Sequence, residues 1–367
     1  MIKWEFNFEA ICDCFPELNQ LRGVKQNPLF HGEGDVFCHT KKVCEALLTC
    51  KEWEVLGEEE KKIVYLAAAF HDIGKLICTR EVEGEWASPK HTIIGPKVFR
   101  ALIYKKYAAK YEIDFKMREQ VAALIRYHGL PLLFMEKANP DYALIKASLC
   151  TNLEWLYLIT KADVLGRICD DQKESLQKVD YYREYAMELG CYKEPMKFFN
   201  SYSRYLYLNE QRIWYGEEVY DPRSFDVYIM VGIPLSGKDT YIAKHLGKLP
   251  MISLDVIRER NHLKPKEHTK KVVAIAKEEA KVYLRQKQSF VWNATNIMHD
   301  TRSQLCKFFT NYGARVKFIY LEVPYELLMQ RYQKRERVVP MEITLKMMEK
   351  MDRIEAWEGD SVSINED

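Results

Sequence analysis

The chain has 367 residues, too many for one typical hydrophobic core, so two domains joined by a connector are expected. Its 47% apolar and 13% aromatic content argues against disorder, and a formal net charge of +2 neither demands nor excludes a nucleic-acid partner. The longest apolar run, 63–70, falls far short of a membrane span, and the opening MIKWEFNFEA is too charged for a signal peptide; a soluble, cytoplasmic protein is expected.

Up to about residue 170 the pattern is helical. KKIVYLAAAF, REQVAALIRY and ASLCTNLEWLYLITKADVLG place apolar residues at three- and four-residue spacing. Segment 171–221 is dense in Tyr and Phe, which need burial, and reads as packed helices and a connector. The pattern changes at Ser224. FDVYIMVG is a short β-branched run leading at once into a Gly-containing turn and a helix. Further strand candidates are PMISL (250–254), SFVWNAT (289–295) and RVKFIYLEV (315–323), separated by helical stretches, so a parallel sheet with crossover helices is expected. The ten cysteines show no zinc or disulfide framework and read as reduced thiols.

Two constellations carry chemistry. In the helical half, His71 and Asp72 close an apolar helix in LAAAFHDIGK, and His39, His91, His128 and Asp163 are further candidate ligands. Imidazole and carboxylate together suit Mn, Fe, Ni, Zn or Mg, and a pair of ions can activate water and clamp phosphate oxygens. Taken singly, His39, His91 or His128 reads more readily as a core histidine; as a set they point to a metal site. His31 lies close to the set, off its pattern.

In the second half, GIPLSGKDT (232–240) follows a strand and precedes a helix. Its glycines, Gly232 and Gly237, let backbone N–H groups around Ser236 surround a phosphate while Lys238 reaches the outer oxygens. Asp239 stands where a hydroxyl usually binds Mg²⁺, and Thr240 supplies a hydroxyl one place late. Asp255, just past a predicted strand, is placed to accept a proton from an attacking hydroxyl, with Arg258 one turn on for an acceptor phosphate; helix capping by Asp255 is the competing reading. Arg331 and Arg335 fall four apart on a predicted helix, either facing a triphosphate or forming a solvated basic face.

HGEGDVFCHT (31–40), HDIGK (71–75), HTIIG (91–95), RYH (126–128) and KADVLGR (161–167) together resemble the HD phosphohydrolase superfamily. That resemblance implies one ion on His39, His71, Asp72 and Asp163, and a second on Asp72, His91 and His128, with Lys75, Arg126 and Arg167 as phosphate contacts. The phosphate loop, DVIR (255–258), ATN (294–296), the segments 312–324 and 338–351 and RYQKR (331–335) resemble the P-loop polynucleotide kinases. By that resemblance Asp255 is the general base on a 5′-OH, Arg258 and Asn296 serve the acceptor site, and Lys238, Arg331 and Arg335 serve the nucleotide. Relatives often carry Asp where Asn293 or Ala294 stands here.

The fusion resembles the bacterial HD-domain polynucleotide kinases of RNA end healing. The implied architecture is an all-α HD domain (1–170), an aromatic-rich helical connector (171–221) and an α/β P-loop kinase domain with a parallel sheet (222–367). The implied cofactors are ATP or another NTP with Mg²⁺ in the kinase, and a Mn, Ni, Fe or similar divalent pair in the HD half. The implied partners are RNA or DNA ends and a ligase acting with the enzyme. Three rival readings are a small-molecule or nucleoside kinase fused to an HD nucleotide hydrolase, an ATP-sensing regulator of the HD domain, and a structural or interaction protein with decayed sites, against which the intact candidate ligands in both halves argue.

Overall fold

The computed structural model describes residues 5–210, 213–264, 267–334 and 339–366. The chain divides into two compact units, Met1–Met196 and Lys197–Asp367. The aromatic-rich segment is shared between them: helix Gln172–Glu188 packs within the first unit on helix Leu153–Gly166, burying Tyr182, and helix Ser201–Tyr205 belongs to the second.

The first unit is helical apart from a hairpin, β1 (Arg80–Val82) and β2 (Glu85–Ala87), that the apolar periodicity does not signal. Its helix starts are set by local chemistry, because a side-chain oxygen can take one of the N–H groups that a helix leaves open. Asp35 accepts from Cys38 N at 2.9 Å to open helix Val36–Thr49, Asp114 from Met117 N at 2.7 Å to open Phe115–Tyr127, and Asn152 from Glu154 N at 2.8 Å to open Leu153–Gly166. Helix Glu58–Phe70 runs through the centre, with Val64 to Phe70 all buried; a helix apolar all round has to lie inside. It packs on the three helices just named; these carry or precede His39, His128 and Asp163, and helix Glu58–Phe70 itself leads into His71 and Asp72.

In the second unit five parallel strands take the order β4-β5-β3-β6-β7: β3 (Phe225–Val231), β4 (Met251–Ser253), β5 (Phe290–Asn293), β6 (Ala314–Glu322) and β7 (Ser361–Glu366). The helical first half and the parallel sheet agree with the expected fold class, and four strands lie where the β-branched runs place them. The edge strand β7 does not announce itself in composition. It is preceded by a latch: the carboxylate of Asp360 accepts from Arg223 Nη1 and Val316 N, both at 2.8 Å, and from Ser201 Oγ at 3.1 Å. Central strand β3 alternates no polar face over its last three residues, as expected of a strand covered on both sides. Because all strands run the same way, the segments after β3, β4, β5 and β6 gather along one edge of the sheet.

No described helix is long and apolar enough to cross a membrane, and all ten cysteines are unpaired.

Candidate functional sites

In the helical unit, residues far apart in sequence converge. His39 Nε2 lies 3.1 Å from Asp163 Oδ1 and 3.9 Å from Asp72 Oδ2; His71 Nε2 lies 3.2 Å from Asp72 Oδ2, and His91 Nε2 3.5 Å from Asp72 Oδ1. His128 joins Asp72 and His91 in one group with metal-ligand spacing, and His39, His71 and Asp72 form another. Asp72 is common to both, with Oδ2 toward His39 and His71 and Oδ1 toward His91. His91 is half-buried; the other five are buried.

The rings are aimed by their far nitrogens. His71 Nδ1 donates to Ala68 O at 2.7 Å, His91 Nδ1 to Ser88 O at 2.8 Å and His128 Nδ1 to Ile125 O at 2.9 Å. A carbonyl can only accept, so each Nδ1 carries a proton and each ring turns its Nε2 toward the cluster. His39 Nδ1 instead meets the Glu33 carboxylate at 2.7 Å, and Glu33 also takes His31 Nδ1 at 2.8 Å and Ile168 N at 2.8 Å. Sequence reasoning placed His31 beside the site but missed Glu33, which lies in the turn just before the cap Asp35 of the His39 helix.

Electrostatics fit cation binding. Burial alone would raise Asp72, but Lys75, His71 and His91 outweigh it and hold the carboxyl well below its usual range. Asp163 behaves likewise, with Arg167 and His39 overcoming burial. Burial, with His71 and His91 alongside, pushes His128 down to about 3, leaving a neutral imidazole. Asp72 Oδ1 is buried with no hydrogen-bond donor among the described residues, a cost of about 1–3 kcal/mol that a bound cation would relieve. The donor set, imidazole plus carboxylate, suits divalent ions.

The three predicted phosphate contacts are placed differently. Lys75 is buried, 2.7 Å from Asp72 Oδ2 and donating to Gln26 Oε1 at 2.7 Å. Arg167 makes a two-pronged pair with Asp163 at 2.7 and 3.1 Å. Arg126 is exposed, its guanidinium 5.4 Å from the Tyr127 ring centre. Gly74 explains how the centre closes: a Cβ there would sit 2.3 Å from His91 O and 2.8 Å from Gly95 N, so only glycine lets the His91 helix reach Asp72.

In the second unit the phosphate loop joins β3 to helix Lys238–Tyr241. Gly232, at φ +154°, lies where a Cβ would meet Leu321 O at 2.6 Å. Its N–H donates to Thr295 O at 3.0 Å, tying the loop to the turn after β5. Lys238 Nζ donates to Gly232 O at 3.0 Å and Ile233 O at 2.8 Å, curling over the loop. Ser236 Oγ is buried without a hydrogen-bond partner among the described residues, a polar atom suited to a phosphate oxygen. Asp239 and Thr240 are exposed at the loop's end, and Asn293 Nδ2 donates to Asp239 Oδ1 at 2.8 Å.

Asp255 follows β4 in helix Leu254–Arg260, but the cap is Ser253, whose Oγ accepts from Val256 N at 3.4 Å. Asp255 is therefore not spent on capping; its side chain is 91% exposed and pairs with Arg258. The two share a groove with Glu259, His262 and Leu263. Asn296, at φ +45°, donates to Met230 O at 2.7 Å and is buried, so its amide braces the sheet edge. Arg331 Nη1 donates to Leu235 O at 3.1 Å, which brings that arginine onto the phosphate loop. The helix carrying it, Tyr325–Gln333, ends before Arg335, which lies outside the described residues.

Residues 36–147 match the HD domain family, and residues 227–354 match a family described as AAA domain. The chain thus joins an HD domain to a P-loop kinase-like domain. The multifunctional CCA protein of Hahella chejuensis (strain KCTC 2396) is 36% identical over 174 residues, covering 45% of this chain; the match spans 36% of that protein's own length. The crystal structure of a Chloroflexus aurantiacus J-10-fl protein provisionally described as a kinase is 19% identical, covering 40% of this chain and 86% of that one, with a TM-score of 0.33, too low to define the fold.

Proposed function

We propose that the chain heals nucleic-acid ends. Its kinase half would transfer the γ-phosphate of ATP to a 5′-OH, and its HD half would hydrolyse a 2′-, 3′- or 2′,3′-cyclic phosphate. The carrying observation is that Asp255, uncapping and solvent-facing, stands with Arg258 on the sheet edge that also bears the phosphate loop. Asp255 takes the proton of the acceptor hydroxyl, the freed oxygen forms the new bond to the γ-phosphorus, and the bond to the β,γ-bridging oxygen breaks. Lys238 and the loop N–H groups take up the charge left on the departing diphosphate, and Arg331 neutralises the transferring group. Asn296 shapes the acceptor corner, and Mg²⁺ bound with the nucleotide would supply the remaining positive charge.

In the HD half, His39, His71, Asp72 and Asp163 would hold one divalent ion, and Asp72, His91 and His128 a second. Such a pair supplies an activated water and a clamp for phosphate oxygens. Lys75 and Arg167 set the charge of Asp72 and Asp163, and they stand by as cationic contacts for the scissile phosphate. The two halves then act on opposite products of RNA cleavage, which a ligase could join afterwards.

One assay tests both activities: radiolabelled ATP with a 5′-OH, 2′-phosphate-ended RNA, run with wild type, Asp72→Ala and Asp255→Ala. Asp255→Ala should abolish label transfer and spare phosphate release, with Asp72→Ala doing the reverse. Equal transfer to a mononucleoside would favour the small-molecule kinase, and phosphate release that requires ATP without any transfer would favour the sensor.

A further inference from the structure

Two departures from the common phosphate-loop pattern stand far apart in sequence. P-loop enzymes ordinarily hold magnesium with a loop Ser or Thr and a strand-end aspartate. Here the loop position after Lys238 is Asp239, and β5 ends in Asn293. Because β5 pairs directly with β3, its C-terminal end comes to lie beside the loop. The two unusual residues are in contact: Asn293 Nδ2 donates to Asp239 Oδ1 at 2.8 Å.

We propose that Asp239 and Asn293 are an exchanged pair, with the magnesium-binding carboxylate moved onto the phosphate loop and the strand-end amide orienting it. The inference rests on the kinase reading of this half.

Charge and hydrogen bonding both support the exchange. The common arrangement offers one carboxylate and one hydroxyl donor; this one offers one carboxylate and one amide donor. Net charge is the same, and the hydrogen bond runs in the opposite direction. Asn293 is buried and fixed, whereas Asp239 is exposed at the loop's end, so the amide can occupy one carboxylate oxygen and leave the other facing outward. Aspartate at 293 opposite the existing Asp239 would set two carboxylates at hydrogen-bond distance, an arrangement in which one must protonate or move. Each departure therefore accounts for the other.

The test uses the full chain with ADP as probe, titrated with and without Mg²⁺ and, in parallel, with Mn²⁺ followed by electron paramagnetic resonance. Asp239→Ser should weaken the metal-dependent part of ADP binding about 10- to 100-fold while leaving metal-free binding unchanged. Asn293→Asp alone should melt at a lower temperature in metal-free buffer. The double variant Asp239→Ser with Asn293→Asp should recover both the metal-dependent affinity and the melting temperature. The proposal is overturned if Asp239→Ser keeps its metal dependence, or if the double variant shows only the sum of the single losses, including failure to fold. Wild type that binds Mg-ADP but labels no 5′-OH sinks the acceptor assignment and leaves this pair standing; wild type that binds no nucleotide sinks both.

Discussion

Glu33 grips His39: one carboxylate oxygen lies 2.7 Å from His39 Nδ1, and the other accepts from the backbone N–H of Ile168 at 2.8 Å. The side chain therefore ties the His39 ring to the chain just beyond Asp163, linking two parts of the candidate ligand set. Such supports typically contribute 10- to 100-fold to metal affinity. Glu33→Ala should weaken divalent-metal binding by about that factor, measured by isothermal titration with Mn²⁺. Glu33→Gln, which keeps an acceptor, should fall between the two.

Gly74→Ala tests whether helix approach makes the centre. The added Cβ would lie 2.3 Å from the carbonyl oxygen of His91, and main chain cannot swing aside as a flexible side chain can. A destabilisation of about 1–3 kcal/mol is expected from overpacking, with loss of metal at the group that includes His91. Thermal melting and metal content by mass spectrometry read the two effects separately.

Arg331→Ala should lower γ-phosphate transfer on the order of 10³-fold, as removal of a charge-neutralising arginine does. Phosphate release by the HD half should be unchanged, since Arg331 reaches the phosphate loop through Leu235 O in the other unit. Parallel rate measurements on one doubly marked RNA substrate decide it.

Glu358→Gln probes the second unit's stability. Arg302, fully buried, pairs with Glu358 at 2.8 Å and donates to Ile297 O at 3.0 Å, holding the turn after β5 to the C-terminal segment. Removing one partner of a buried pair should cost about 3–5 kcal/mol at neutral pH. Burial would raise the Glu358 carboxyl, but Arg302 and His299 outweigh it and hold it below its ordinary 4.5. A lowered folded pKa means the stabilisation is complete above the unfolded value and fades as pH falls through the folded one. The difference in melting temperature between wild type and variant should therefore shrink below about pH 4.

Much of the fold was legible because its signals are local. The apolar run 63–70 and the β-branched strand 225–231 announce themselves within a few residues. The hairpin 80–87 and edge strand 361–366 are short and polar, with pairing partners supplied by distant chain, so periodicity is silent on them. At the sites, residue types and motifs pointed to the candidate ligand histidines, which the fold brings together, and to the phosphate loop. What stayed hidden was support from afar: Glu33 on His39, Gln26 on Lys75 and Asn293 on Asp239 are contacts that only folding creates. Arg126 illustrates the converse, a motif residue whose side chain turns outward onto Tyr127.

Three of the candidate ligand histidines lean on main-chain carbonyls three residues upstream, at Ala68, Ser88 and Ile125. No side-chain replacement deletes a carbonyl, so the aim of these rings is insulated from point mutation in a way that of His39 is not. A saturation scan of this half should accordingly leave a lopsided scar. Damage to metal binding without damage to folding would concentrate in the candidate ligands themselves and at Glu33, whereas substitutions at 68 and 125 would register through packing and one at 88 also through the loss of the Ser88–Thr79 hydroxyl contact.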